Sequence, residues 1–367
     1  MKTLLLEVPV IAVTGSSGKS TTKEMIAAIL QNRCEIFKTP GNRNYWTATE
    51  KFAKWIRPSH QAVVLEYGIA GFGHLKRSCQ IIRPNIGVIT MVGTAHLGNF
   101  RGDVKRLALA KSELIQNMSQ SGKLYINADD DNSKLLQTSG FKGKIIRIGI
   151  DQTADYQAFD VKYADQGMTF KVKLDGRTCS FFIPIYGRHN VYNALFAIAV
   201  THALGYEPSD MQKGLANYTR LVGRLTFIEL ARNVTLIDDS YSANPNSVKA
   251  ALDVLATVSK GSNIAVLSDM TCLGRYTSIG HNEVGRYIAE KRIDHLYTIG
   301  ERAEKIGESA VKSGFDPQKV IHNFTKDELI HKLVETVKSN ATVLVKGSHS
   351  TGMKEIVDAL KVRLIEP

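Results

Sequence analysis

Along this chain, short runs of wholly apolar residues alternate with longer stretches whose apolar positions have helical spacing. Residues 8–14 form the first run, which ends in a turn of glycine and serine. Met25, Ile26, Ile29 and Leu30 then place an apolar face on a predicted helix, Lys19–Leu30. Residues 62–65 and 86–90 read as buried strands, 104–118 as a helix, and 123–127 and 144–148 as strands. Such alternation predicts a parallel sheet with helices on both faces.

The period then changes. From Tyr156 to Pro184 apolar residues recur at every second position (Met168, Phe170, Val172, Leu174), which predicts an antiparallel meander beside the main sheet. A helix over 189–204 follows, with Gly205 as its stop. The pattern pauses at 217–224 and a second alternating series begins. Its strands are 226–230, 235–237, 263–267, 295–299 and 342–345, and its helices include 247–258 and 282–291. The expected fold class is α/β: a P-loop parallel-sheet ATPase domain with an antiparallel meander over 1–220, then a smaller Rossmann-like α/β domain over 221–367.

A length of 367 residues is enough for those two domains. Lys and Arg number 47 against 35 Asp and Glu, a formal charge of +12, yet no basic run or basic-aromatic stretch occurs. The charge therefore points to solubility and anionic small molecules, and nucleic acid is not an expected partner. Cys34, Cys79, Cys179 and Cys272 are widely spaced, so neither a zinc site nor a disulfide framework is expected, and a reducing compartment such as the cytoplasm fits. Residues 1–6 resemble the start of a leader, but Glu7 and Pro9 break the apolar run. No apolar stretch approaches the ~18–20 residues of a membrane span.

Chemistry enters at Val13-Thr-Gly-Ser-Ser-Gly-Lys-Ser-Thr-Thr22, between a predicted strand and a predicted helix. Small residues at Gly15, Ser16, Ser17 and Gly18 let backbone N–H groups approach phosphate oxygens. Lys19 can reach the outer phosphates, the Ser20 hydroxyl can hold Mg2+, and Thr21 completes the first turn. Two residues separate the glycines, where the common loop has four. Glu66 closes an apolar strand, where a carboxylate faces the ligand crevice of a parallel sheet and can bind metal. Lys111 falls inside the apolar stripe Val104, Leu107, Ala108, Ile115, Met118. Such a lysine either runs its stem out to water or keeps a desolvated amine able to react, including with CO2 to give a metal-binding carbamate. His96, just past a strand end, is a possible neighbour.

Seven blocks in order carry a resemblance: Thr-Gly-Ser-Ser-Gly-Lys-Ser-Thr-Thr-Lys (14–23), Leu-Glu-Tyr-Gly (65–68), Gly-Thr-Ala-His-Leu (93–97), Ala-Lys-Ser-Glu-Leu (110–114), Gly-Arg-His-Asn-Val-Tyr-Asn-Ala (187–194), Asp-Asp-Ser-Tyr-Ser-Ala-Asn-Pro (238–245) and Val-Lys-Gly-Ser (345–348). The chain resembles the Mur ligase family, within it the branch that adds D-alanyl-D-alanine to the peptidoglycan precursor. The resemblance implies an ATP- and Mg2+-dependent ligase that joins a small-molecule carboxylate acceptor to an amine donor through an acyl phosphate. It implies Ser20 and Glu66 at one Mg2+, and His96 with carbamylated Lys111 at a second. Asn193 would contact adenine, Asp239 ribose and Arg224 the γ-phosphate, so that Lys19, Lys111, His96 and Arg224 carry the catalysis. Asn42, Asn44, Lys346 and Ser348 would bind the substrates.

The sequence also departs from the family pattern. Only 13 residues precede Thr14, so the family's N-terminal uridine-nucleotide domain is expected to be absent. Tyr45 stands where the branch has a second Asn, and Ala48-Thr49-Glu50 replace a Gly-x-Pro. Met91 and Cys272 replace an Asn and a Glu, while His349 and Lys354 replace an Arg and a Glu. The nucleotide side is thus expected to be retained and both substrate surfaces altered. A different acceptor, the standard cell-wall precursor, or a nucleotide-binding paralogue without ligation are the alternatives. Nucleotide residues on both domains imply a hinge near residue 220.

Overall fold

The computed structural model describes residues 3–364. Met1 and Lys2 of the leader-like start, and residues 365–367 of the second expected domain, lie outside the described residues. The chain divides into two compact units, Met1–Thr219 and Arg220–Pro367.

In chain order the first unit comprises β1 (Val10–Thr14), α1 (Lys19–Leu30), β2 (Ile36–Lys38), α2 (Trp46–Trp55), β3 (Ala62–Glu66), α3 (His74–Ile81), β4 (Ile86–Ile89), α4 (Val104–Asn117), β5 (Lys123–Asn127), β6 (Lys144–Gly149), β7 (Tyr156–Ala164), β8 (Gly167–Leu174), β9 (Arg177–Ile183), α5 (Arg188–His202) and α6 (Pro208–Ala216). Its nine strands form one sheet in the order β2-β3-β1-β4-β5-β6-β7-β8-β9. Pairing is parallel from β2 to β7 and antiparallel from β7 to β9, so the meander continues the main sheet. Every residue of β1 is buried, as its unbroken apolar run requires of a central strand. The winding reverses around β1, and the C-terminal ends of β3, β1 and β4 are where ligands bind in such sheets.

Helix α1 is buried along nearly its whole length. Gly214 of α6 lies so close to it that a Cβ there would stand 2.5 Å from the Ile29 Cα and 2.8 Å from its nitrogen. Any side chain at 214 would force α6 off α1. The elements β2, α2, α3 and α6 are additions to the pattern read from the sequence.

The second unit comprises β10 (Thr226–Glu229), β11 (Thr235–Asp239), α7 (Pro245–Val258), β12 (Asn263–Ser268), α8 (Thr277–Ala289), β13 (His295–Ile299), α9 (Glu304–Lys312), β14 (Val320–Asn323), α10 (Lys326–Thr336), β15 (Thr342–Lys346) and α11 (Met353–Arg363). The strand order is β10-β11-β15-β12-β13-β14, with only β10 antiparallel to its neighbour. This is the expected Rossmann-like arrangement. Strand β15 returns between β11 and β12, which puts the switch point at the C-terminal ends of those three strands. Helices α10 and α11 pack Leu329, Leu333, Ile356 and Leu360 onto Leu236, Ile264, Val343 and Val345. Among the described residues no helix is long and apolar enough to cross a membrane, and all four cysteines are free.

Candidate active site

The phosphate loop is shaped by two glycines for different reasons. Gly15 has φ 147°, and a Cβ there would come within 1.9 Å of Thr90 Oγ1; Gly18 has φ 83°, and a Cβ would come within 2.4 Å of Asn193 Oδ1. The loop is thus pressed between the end of β4 and helix α5. Thr90 Oγ1 donates toward Ser17 O (2.5 Å) and Thr14 O (3.2 Å), and Ser16 N donates to Met91 O (3.0 Å). Gly18 caps α1 without a side chain, so the helix N-terminus opens on the loop, as anion binding requires. Lys19 Nζ donates to Gly15 O at 3.0 Å. Ser20 and Thr21 are buried in the first turn. Asn193 buttresses that turn from α5: its Oδ1 accepts from Thr22 Oγ1 (3.1 Å) and its Nδ2 donates to Asn190 Oδ1 (2.9 Å).

Glu66 ends β3 beside Val13 of β1 and is 2% exposed. Its Oε1 accepts from Asn44 Nδ2 at 2.8 Å, whereas Oε2 is buried with no hydrogen-bond partner among the described residues. An orphaned carboxylate oxygen is costly, and a cation would satisfy it. No cluster of three or more His, Cys, Asp or Glu side chains able to hold a metal occurs among the described residues. A hydroxyl at Ser20 and one carboxylate at Glu66 do fit Mg2+, which takes few protein ligands and fills its octahedron with water and phosphate oxygens.

Lys111 lies on α4 and is 1% exposed. Burial, then the neighbouring charge of Lys19, push its pKa well below the ordinary lysine range, with Asp130 opposing. His96 has left-handed backbone (φ 62°) ahead of a short 3-10 turn. Burial first, then Lys19 and Lys111, push its imidazole down to about 4, so it is neutral near pH 7. The loop carrying His96 is braced by groups that motif reading missed. Asp130 Oδ2 accepts from Val92 N (2.7 Å) and Ser133 Oγ (2.7 Å), and Asn132 Nδ2 donates to Val92 O (2.8 Å). The detectable signal was a polar cluster directly after the apolar run of β5.

In the second unit Asp239 and Lys346 meet at the ends of β11 and β15, where they are register partners. Lys346 Nζ donates to Asp239 Oδ2 (2.5 Å) and Ser242 O (2.8 Å), and Asp239 Oδ1 accepts from Leu225 N (3.1 Å). Burial raises the Asp239 pKa against the lowering effect of Lys346. Both residues predicted as ligand contacts are therefore already joined to one another. Ser348 Oγ accepts from Thr271 N at 2.9 Å. The guanidinium of Arg224 lies 4.5 Å from the ring centre of Tyr241, whose other close ring is His349 at 5.5 Å. Asn42 is exposed, Tyr45 sits edge-on to His74, and Lys354 pairs with Asp238 (3.2 Å) and Asp358 (2.9 Å). Cys272 is exposed with φ 63°. Thus Lys19, His96 and Lys111 share one electrostatic environment in the first unit, and Arg224, Asp239, Lys346 and Ser348 sit near the strand ends of the second.

Fold and site, taken with the family and relatives that follow, define an enzyme class: an ATP-dependent ligase that forms a carbon–nitrogen bond. Residues 13–201 match the Mur ligase middle domain, and 223–349 the Mur ligase glutamate ligase domain. The chain belongs to the Mur ligase family. It is 33% identical over 352 residues to the UDP-N-acetylmuramoyl-tripeptide–D-alanyl-D-alanine ligase of Bacillus subtilis (strain 168), covering 96% of this chain and 75% of that protein. The Escherichia coli (strain K12) enzyme of the same name is 32% identical, with 96% and 76% covered. Crystal structure I of MurF from Acinetobacter baumannii superposes with a TM-score of 0.88 at 31% identity, covering 97% of this chain and 77% of the other.

Proposed function

We propose that this chain phosphorylates an acceptor carboxylate with ATP and joins it to an amine, with a UDP-N-acetylmuramoyl tripeptide and D-alanyl-D-alanine, the substrates in its relatives' names, as the first pair to test. The observation that carries the reading is the Oε2 of Glu66, buried beside the phosphate loop with no hydrogen-bond partner among the described residues. A carboxylate oxygen of the acceptor attacks the γ-phosphorus, the bond to the β-phosphate oxygen breaks, and ADP leaves. The amine nitrogen then attacks the acyl carbon, a C–N bond forms, the C–O bond to phosphate breaks, and the nitrogen loses a proton.

Lys19 and the loop amides would meet the charge that builds on the transferring group, and the family resemblance assigns Arg224 to the γ-phosphate. Mg2+ held through Ser20 and Glu66 would offset repulsion between phosphate and carboxylate. His96 stays neutral, able to act as a ligand or to orient the acceptor. Lys111, whose pKa burial holds well below the ordinary lysine range, is suited to add CO2: the nitrogen of its neutral form bonds the carbon, one proton is released, and the carbamate would place a negative charge where Lys19 would otherwise repel an ammonium. Asn193 and Asp239 are assigned to adenosine, Asn42 and Asn44 to the acceptor, Lys346 and Ser348 to the amine.

The test is ADP release with mass detection of the joined product. Turnover that requires both substrates and is lost in Lys111→Ala and Glu66→Gln supports the reading; no turnover with any acceptor, or tolerance of both changes, overturns it. A second reading keeps the chemistry with another acceptor. It is favoured by Tyr45, 51% exposed beside Asn44, where the family resemblance expects a compact amide. A panel of acyl acceptors separates the two.

A further inference from the structure

We propose that Lys23 is a positioning residue, which fastens the acceptor-side loop, residues 39–44, to the helix carrying the phosphate loop and thereby fixes the orientation of Glu66. The inference rests on the roles proposed above for Asn44 and Glu66. Lys23 lies one turn beyond Lys19 on α1 and is 0% exposed. A buried ammonium is tolerated only when its charge and all three N–H groups are met. Here they are. Nζ donates to Thr39 O at 2.8 Å and Gly41 O at 2.6 Å, and pairs with Glu24 Oε1 at 2.7 Å. The other Glu24 oxygen takes Lys38 Nζ at 2.6 Å.

Two of the three bonds go to carbonyls of another segment, so the lysine dictates the path of that segment. Thr39 is the link. Its carbonyl is held by Lys23, while its Oγ1 accepts from the backbone N of Glu66 at 3.0 Å. Further along the loop, Asn44 O accepts from Gly68 N at 2.7 Å and Asn44 Nδ2 donates to Glu66 Oε1 at 2.8 Å. Glu66 is thus held at its backbone N–H and at one carboxylate oxygen by a loop whose position is set from α1. An apolar residue at 23 would fill the same space but could not hold the two carbonyls.

The experiment compares Lys23→Met, which keeps the stem, with Lys23→Arg, which keeps the charge. Backbone hydrogen exchange is measured without ligand, and KM and kcat are measured in the ADP-release assay. Lys23→Met is expected to speed exchange across 39–46 about tenfold, leaving β1 and β4 unchanged, and to raise the acceptor KM or lower kcat about tenfold with ATP KM within about twofold. Lys23→Arg is expected to restore part of both. Unchanged exchange at 39–46, exchange raised evenly through the unit, or ATP and acceptor KM rising together would overturn the proposal. Should Lys23→Met not fold, Lys23→Met with Glu24→Gln removes both buried charges and is read the same way. Exchange needs no substrate. A localised rise in exchange without wild-type turnover therefore leaves the anchoring intact and rejects only the substrate reading.

Discussion

Burial acts in opposite directions on the charged residues of the first site. It leaves Glu66 with an oxygen in need of a cation and pushes the Lys111 pKa well below the ordinary lysine range. Glu66→Gln is expected to lower kcat/KM by about a hundredfold or more and to weaken its dependence on Mg2+, measured by titrating the metal at fixed ATP. If Lys111 works as a carbamate, wild-type turnover falls in CO2-free buffer and returns with bicarbonate; a rate indifferent to CO2 rejects that role. A quite separate residue is expected to contribute to acid stability. His281 accepts Met270 N–H on Nε2 (3.1 Å) and faces Thr277 O with Nδ1 (2.7 Å), which requires the neutral ring. Burial lowers its pKa, partly opposed by Thr277 O and Asp269 and reinforced by Arg302 and Lys305. The unfolded chain then takes up a proton first as pH falls below about 6.5, so this contribution is full above that value and is lost toward acid. His281→Gln, which keeps an acceptor, is expected to flatten the fall in thermal midpoint between pH 7.5 and 5.5. The places of single residues were legible where a motif fixes a spacing, as with Lys19 at the start of α1 and Glu66 at the end of β3. Lys23, Thr90 and Asp130 were not, because each holds backbone groups that only folding brings near.

Elements were legible where the pattern was long. Helix α1 and strands β5 and β13 have the expected limits, and the period-two stretch is the meander β7-β8-β9. Strand β2 has three residues, too few to show a period, and α2 mixes Trp, Thr, Lys and Glu with little apolar face in sequence. Helix α8 begins at Thr277, before the apolar positions that suggested a start at 282, because Gly280 and His281 are buried in its first turns. At this scale the phosphate loop gives the sharpest prediction. Gly18→Ala must place a Cβ against Asn193 in a left-handed backbone, so it is expected to cost about 2 kcal/mol and to abolish binding of a fluorescent ATP analogue. An alanine variant that binds normally would mean that the loop rearranges freely.

The two compact units each have a core of their own, so calorimetry is expected to resolve two unfolding transitions. Mg2+ with a non-hydrolysable ATP analogue at 100 times its Kd is expected to stabilise the first unit by about 2.7 kcal/mol, and Leu360→Ala to lower only the second transition, by about 2–5 kcal/mol. A single transition shifted by both would show one cooperative block. The formal +12 was the least informative quantity at this scale, since its meaning depends on which cations converge. In the first unit, what cannot yield matters as much as what reacts. With Gly214 set against the backbone of Ile29 and Asn193 against the first turn, α1 has no slack in either direction. On the proposed function it would serve as the anvil of the reaction: a nucleotide would find its phosphate cradle already formed, and the adjustments that sort one acceptor from another would be left to the loops around it.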